Sequence, residues 1–509
     1  MTSIDQYDVA ARKDVDKLHA KAVGLIGVLF LTVTGAAPIS AMLFNVPIAI
    51  GYGNGIGSAA SFLVATVVLT IFSVGFAAMA RKVTAVGGFY SFISHGLGRE
   101  LGMGLGFASV VAYSVFEASL CGGFAYFANL KLAEWGVDIS WVWCALAMVI
   151  GVGLLAYLDV KISAMILGVA LIGEIIILLV FDFSTIAAPG TSFTLDALNP
   201  VNAFKGFSAF KSPAGADIAA GAAAIGLFFA FWSWVGFEMA PNYGEESRDP
   251  KRIVPQSLYI SVIGLGIFYT FTSWCATSAY PTIQDAIVKA NADSAHFFLE
   301  PAARNAGHWA EVLMSYLILT GAFACGMAFH NTCARYLYSL GREGVLPAQL
   351  GRTHPTFKSP YIASTTQSAI SAILVLIFAA TMGIHDPTNQ AYLGLYGLMA
   401  LLGTSLVLIA QAIVSVAIIV YFQKHHADDV HWFETILAPA IAFISQAIVV
   451  YLLFANIDFL GGGLSFAHHI WWIDLIVIGV GIGGALWLKS TKPGVYDNIG
   501  RLIYRGLDK

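Results

Sequence analysis

The chain has 509 residues, of which 58% are hydrophobic and only 11% charged, and a formal net charge of −4. A soluble domain carries about 25% charged residues, so the polar surface is too small to cover a water-facing globule of this size. The near-neutral charge offers no basic surface for nucleic acid. The five cysteines, Cys121, Cys144, Cys275, Cys325 and Cys333, lie in apolar stretches without a C-x-x-C pair. They read as free thiols packed as small apolar residues.

Residues 1–21 mix acids and bases (Asp5, Asp8, Arg12, Lys13, Asp14, Asp16, Lys17) and read as a solvated tail, not a signal peptide. Apolar runs of about 20 residues cross a bilayer as helices. Twelve are predicted, near 22–50, 56–80, 104–130, 140–158, 162–182, 220–244, 256–280, 311–339, 361–382, 393–422, 434–456 and 469–488. The expected layout is a transporter domain over 22–488 with tails at 1–21 and 489–509. Within it, repeat one covers about 22–182, repeat two about 220–422, and two further helices about 434–488. The segments near 183–219 and 281–310 are long enough for short surface helices.

The first run is interrupted by Thr34, Gly35, Ala36, Ala37 and Pro38, and the sixth by Trp232, Ser233, Trp234, Val235, Gly236, Phe237 and Glu238. At membrane depth the backbone can leave the helix only where protein or a wet cavity satisfies its polar groups. Paired interruptions, five spans apart, point to a solute site inside a secondary transporter. A kink without ligand contact is the alternative.

Lys and Arg set the orientation. Of the 26 in the chain, 21 fall on the side of the termini and 5 (Lys131, Lys205, Lys211, Lys289, Arg304) on the other. The split predicts cytoplasmic termini in a multi-pass plasma-membrane protein.

A zwitterion needs N–H donors for its carboxylate and carbonyls or a carboxylate for its ammonium. The break in the first span offers Thr34, Gly35 and Ala36, whose N–H groups are expected to be exposed, followed by Ala37; Pro38 has no N–H. In the sixth, Phe231, Trp232 and Trp234 flank Ser233 and Gly236. Three acids lie deep in spans: Glu117, on one face with Tyr113 and Cys121, Glu174, and Glu238. Such a group can carry a proton, neutralise an amine, or simply hydrogen-bond to a neighbouring helix. Asn331 and Thr332 offer oxygens to a sodium ion, or bonds across helices. His330 beside them reads as a packed histidine. His425, His426, His431, His468 and His469 form no convincing metal set, and no cofactor is implied. H-E-x-x-H, G-x-S-x-G and G-x-x-x-x-G-K-[ST] are all missing, which argues against a membrane enzyme and a primary pump.

Three runs carry a family resemblance. RKVTAVGGFY, 81–90, resembles the entrance to the third helix in the amino acid–polyamine–organocation permease superfamily. GFEMAPNYGEESRDPKRIVP, 236–255, is similar to its sixth-helix exit, and ARYLYSLGREGVLP, 334–347, to its eighth-helix exit. The resemblance implies an all-α membrane protein with the LeuT-type 5+5 inverted repeat and broken helices 1 and 6. It makes an aromatic residue of the sixth helix, Trp232, a lid over bound solute. The expected function is import of an amino acid or amine by alternating access, driven by protons carried on the buried acids, with an exchanger or polyamine permease as alternatives. A solute sensor with a transporter fold would share every one of these features. The chain departs from the family twice. Members often have a second glycine where Ala37 stands, and some proton-coupled relatives place a lysine in the fifth helix, where this chain has only Lys161, at its inner end.

Overall fold

The computed structural model describes residues 23–84, 87–157 and 160–500, without the side chains of 160–164 and 166. The two tails' outer parts, 1–22 and 501–509, and the Lys161 side chain therefore lie outside the described residues. Twelve spans are present among those described: 25–54, Ser58–Lys82, Arg99–Glu134, Trp141–Ala156, Val160–Ala187, Ala223–Tyr243, Pro250–Ser278, His308–Arg342, Tyr361–Met382, Pro387–His425, Trp432–Ala455 and Ser465–Thr491. The first and second run on almost continuously. The chain reverses between them at Gly53, Gly55 and Gly57, where Gly55 has φ +52. The last span reaches Thr491, three residues past the expected end, and a short helix, Pro493–Asn498, follows.

Large apolar side chains such as Leu154, Val169, Ile267, Ile444 and Val480 stand outward on these helices, each at least half exposed. Polar side chains such as Glu117, Glu174, Gln367 and His330 are fully buried. This inverted distribution is what a hydrocarbon solvent requires, since every polar group must be satisfied within the protein.

Spans five apart touch: first with sixth, second with seventh, third with eighth, fourth with ninth. That pairing is what a repeat of five helices inverted onto itself produces. The eleventh packs on the second and tenth, and the twelfth on the third, so both lie outside the repeat.

Contacts sort the connections onto two faces. Val23 donates its N–H to Glu246 O (2.9 Å), Arg99 pairs with Asp497 (2.8 Å), and Gly500 reaches Tyr90 and Glu343. These place the helix Gly88–Gly96 and the 244–249, 343–360 and 493–500 segments on one face, the termini face. The opposite face holds a small hairpin (Phe210–Lys211 with Asp217–Ile218) and the helices Ile283–Ala292, Leu299–Ala306 and Ile457–Leu460. Here Asn291 donates to Gly51 O (2.7 Å) and the Tyr52 and Phe459 rings meet at 5.2 Å.

Candidate functional site

The first span is helical to Val33 and resumes at Pro38, the first residue of the next half-helix, where a missing N–H costs nothing. A residue before proline is pushed out of the right-handed helical region. Ala37 turns the corner in the left-handed region, at φ +44, a conformation costing an alanine about 1–2 kcal/mol. The residue that departs from the family's glycine is thus the one carrying the strained backbone.

The expected free donors are not free. Thr34, Gly35, Ala36 and Ala37 donate their N–H groups to Phe30, Thr32, Val33 and Thr34, all at 3.1 Å. The break winds tighter here, each N–H from Gly35 to Ala37 finding the carbonyl three residues back. What it turns outward are carbonyls. Gly35 O accepts from the Cys325 thiol (3.3 Å) and Ala36 O from the Tyr269 hydroxyl (2.8 Å). Past the corner, the Ile39 N–H donates to Glu174 Oε2 at 3.2 Å.

The sixth span is helical from Ala223 to Trp232 and turns at Gly236, φ +123. The Gly236 N–H donates to Glu238 Oε2 (2.9 Å), and the Tyr113 hydroxyl to Oε1 (2.9 Å). Glu238 thereby closes the turn that its own segment makes. Gly236 packs directly on the backbone of Gly35.

A cavity opens where the breaks meet. Its wall is formed by Gly35, Ala36, Ala37, Ser40, Ala41 and Asn45 of the first span, Phe116, Ser119 and Leu120 of the third, Trp232, Ser233 and Val235 of the sixth, Cys325 and Phe329 of the eighth, and Tyr396 of the tenth. About 40 Å³ is open to the centre of a water molecule, room for a few waters. No Asp, Glu, Lys, Arg or His stands on this wall.

Trp232 and Tyr396 stack with centroids 5.7 Å apart. Both also line a second cavity of about 450 Å³ toward the opposite face, with Ile48, Tyr52, Phe229 and Tyr392. The ring pair is therefore the partition between the central cavity and an aromatic vestibule. Toward the termini face Tyr113 stacks on Tyr336 (5.7 Å). Below them Arg335 holds Glu246 through two bonds of 2.8 and 2.9 Å and lies 4.5 Å over the Tyr243 ring. Packed side chains thus lie on both sides of the central cavity.

Of the residues expected at the site, Gly35, Ala36, Ala37, Trp232 and Ser233 are brought together on the wall. Thr34, Tyr113, Glu117, Phe231, Trp234 and Gly236 are not on it. Trp234 faces the other way, against Phe62 and Tyr269. Glu117 points to the ninth span, where its Oε2 accepts from Gln367 Nε2 (2.7 Å) and lies 3.0 Å from His330 Nδ1. His330 also meets Ser364 (2.8 Å). Asn331 and Thr332 are likewise off the wall, and the Thr332 hydroxyl donates to Met239 Sδ (3.1 Å).

Sequence reasoning missed Ser40, Asn45 and the stripe Phe116–Ser119–Leu120. The acid of the third helix points to the face through Tyr113, Glu117 and Cys121; the cavity takes the neighbouring face. Ser40 and Asn45 were visible as polar residues in an apolar run.

The family model described as amino acid permease matches residues 23–482. The chain belongs to this family. Its relatives include the branched-chain amino acid permease BcaP of Bacillus subtilis, 22% identical over 377 residues, which cover 71% of this chain and 73% of that protein. The low-affinity putrescine importer PlaP of Escherichia coli K12 is 27% identical over 152 residues, 30% of this chain and 32% of its own. The vacuolar cationic amino acid transporter 4 of Arabidopsis thaliana is 24% identical, over 62% of this chain and 52% of its own. This permease is accordingly a multi-pass membrane transporter of amino acids or related amines, not an enzyme.

Proposed function

We propose that this permease imports a neutral amino acid across the plasma membrane by alternating access, with its termini cytoplasmic and its uptake coupled to protons. The observation that carries the substrate class is the uncharged wall of the cavity between the two breaks. A polyamine or cationic amino acid would bring a buried positive charge without a partner, which costs several kcal/mol. The three buried acids stand off this wall and bond elsewhere: Glu117 to Gln367, Glu238 to Tyr113 and Gly236, Glu174 to Ile39. The relatives pull both ways, since BcaP is named for branched-chain amino acids and PlaP for putrescine. The neutral wall supports an uncharged amino acid side chain over putrescine. The vestibule opposite the termini face is the entry route, and Trp232 with Tyr396 is the gate that must part, because the central cavity is too small for most amino acids.

For coupling, the geometry favours Glu174. It alone of the three acids bonds to the restart of the first span's half-helix; its Oε1, like that of Glu117, has no partner. Sodium would instead need the oxygens of Asn331 and Thr332, which lie off the cavity wall.

Counterflow in proteoliposomes tests the substrate class. Unlabelled neutral amino acids inside should drive uptake of the labelled solute, and putrescine or lysine should not. Exchange driven by putrescine alone would overturn the reading. Binding without any counterflow would make the protein a sensor.

A further inference from the structure

The second half of the first span is not plain α-helix: Ala41–Asn45 and Ala49–Asn54 wind as π-helix. A π turn takes in more residues than an α turn and recurs at functional sites. Residues five apart, which an α-helix sets on different faces, then share one. Ser40 and Asn45 are such a pair, and both stand on the wall of the central cavity.

The chemistry fixes how Asn45 is turned. Its Nδ2 lies 2.9 Å from Ser233 Oγ. The Ser233 hydroxyl has one proton, and it goes to Phe229 O at 2.7 Å. Toward Asn45 that hydroxyl can only accept, so the amide must present Nδ2 to the sixth span and Oδ1 away from it. Asn45 is 3% exposed, and its Oδ1 has no hydrogen-bond partner; nor has the Ser40 hydroxyl. Other polar groups on the wall are spent: Ser119 donates to Tyr396 O (2.8 Å) and Cys325 to Gly35 O. Asn45, like Ser40, therefore keeps an unpaired buried polar atom beside a neutral cavity, and a buried acceptor left unpaired is costly. The solute's ammonium is drawn to the break of the first span, where carbonyls turn outward. Asn45 lies eight residues beyond Ala37, toward the Tyr396 lid, where the solute's side chain would reach.

We propose that Asn45 is a specificity-determining residue whose Oδ1 accepts a hydrogen bond from the solute's side chain, so that the permease favours neutral amino acids bearing an amide or hydroxyl over branched aliphatic ones. The inference rests on the reading of the central cavity as a neutral amino acid site. It separates this chain from what the name of BcaP alone would suggest.

The test is competition in counterflow with the full-length protein, using glutamine, asparagine, serine and threonine against leucine, isoleucine and valine. In the parent, the best donor-bearing competitor should act about tenfold or more below the concentration needed for the best aliphatic one. Asn45→Leu should abolish or invert that ranking. Ser233→Ala leaves Asn45 in place but frees the amide to turn, and should flatten the ranking; it serves if Asn45→Leu does not fold. A parent that prefers leucine, or variants that keep the parent's ranking, overturns the inference while leaving the neutral amino acid reading intact. A parent that exchanges no neutral amino acid overturns both.

Discussion

Gly35 and Gly236, at the breaks of the first and sixth spans, lie against each other so closely that a Cβ on Gly236 would stand 2.7 Å from the Gly35 carbonyl oxygen and 2.8 Å from the Ala36 nitrogen. Backbone atoms cannot step aside as the end of a side chain can. Gly236 is also at φ +123, where an L side chain is strained. Gly236→Ala should lose transport and lower the thermal midpoint, at a cost of at least about 1–3 kcal/mol from the backbone alone. A Cβ on Gly35 would meet nothing nearer than 3.2 Å, the Met239 sulfur and the Thr32 carbonyl oxygen, so Gly35→Ala should be the milder change. Melting and counterflow on both variants check the order. Equal effects would show that the two breaks do not depend on their contact.

Much of this was legible in the sequence because hydrocarbon imposes simple rules. Apolar run length gave the spans, and interruptions at Gly35 and Gly236 marked the corners. The details of the site followed tertiary rules instead. Whether the N–H of Gly35 is free depends on whether the chain tightens onto Thr32 O, which no local pattern states. Glu117 looked like a site residue because buried acids are costly, but Gln367 and His330, some 200 residues away in the chain, answer that cost. Asn45 stands four and eight residues beyond Ala41 and Ala37, both on the wall, but the π turn that also brings Ser40 to that face has no local sequence signal.

Glu174 and Glu117 should behave differently as glutamine. Glu174→Gln keeps the size but fixes the uncharged form beside the Ile39 N–H. It should abolish pH-driven accumulation while solute exchange survives. Glu117→Gln sits in a polar cluster away from the cavity and should retain accumulation. Uptake under an imposed pH gradient without sodium, set beside counterflow, reads both. Full accumulation by Glu174→Gln removes it as the coupling group, and a sodium requirement in the parent removes proton coupling altogether.

The Arg335–Glu246 pair, each side chain 3% exposed, seals the cavity toward the termini face. Breaking a buried pair by removing one partner leaves an uncompensated charge, at about 3–5 kcal/mol. Arg335→Ala should therefore destabilise the closed arrangement and admit water from that face. Cys325, buried on the cavity wall, is a built-in reporter. Its modification by a water-soluble thiol reagent, located by mass spectrometry, should be slow in the parent and much faster in Arg335→Ala. An unchanged rate would place the seal elsewhere.

On the termini face the chain's last described residues close over Glu343. The Tyr90 hydroxyl donates to one oxygen of this carboxylate, and the Gly500 N–H lies 3.1 Å from the other and 3.1 Å from Tyr90 Oη. Ile499 is 1% exposed beside them. Burial pushes Glu343 up to about 8, against the smaller lowering effects of Tyr90, Gly500 and Arg342, and pushes the Tyr90 phenol higher as well. With the segment undocked and water admitted, Glu343 would return toward the ordinary carboxyl value of 4.5. The docked state thus binds the proton more tightly. Its added stability is complete below about 4.5, declines with rising pH by up to about tenfold per unit, and is spent above 8. Residues 493–500 should be well protected from hydrogen exchange at pH 6 and poorly protected at pH 9, after correction for intrinsic rates. Glu343→Gln, permanently uncharged, should hold its protection across that range. Should parent and variant lose protection together, the carboxyl of Glu343 does not govern docking, and the Arg99–Asp497 pair with the Tyr496 hydroxyl's bond to Glu100 would be what holds the segment.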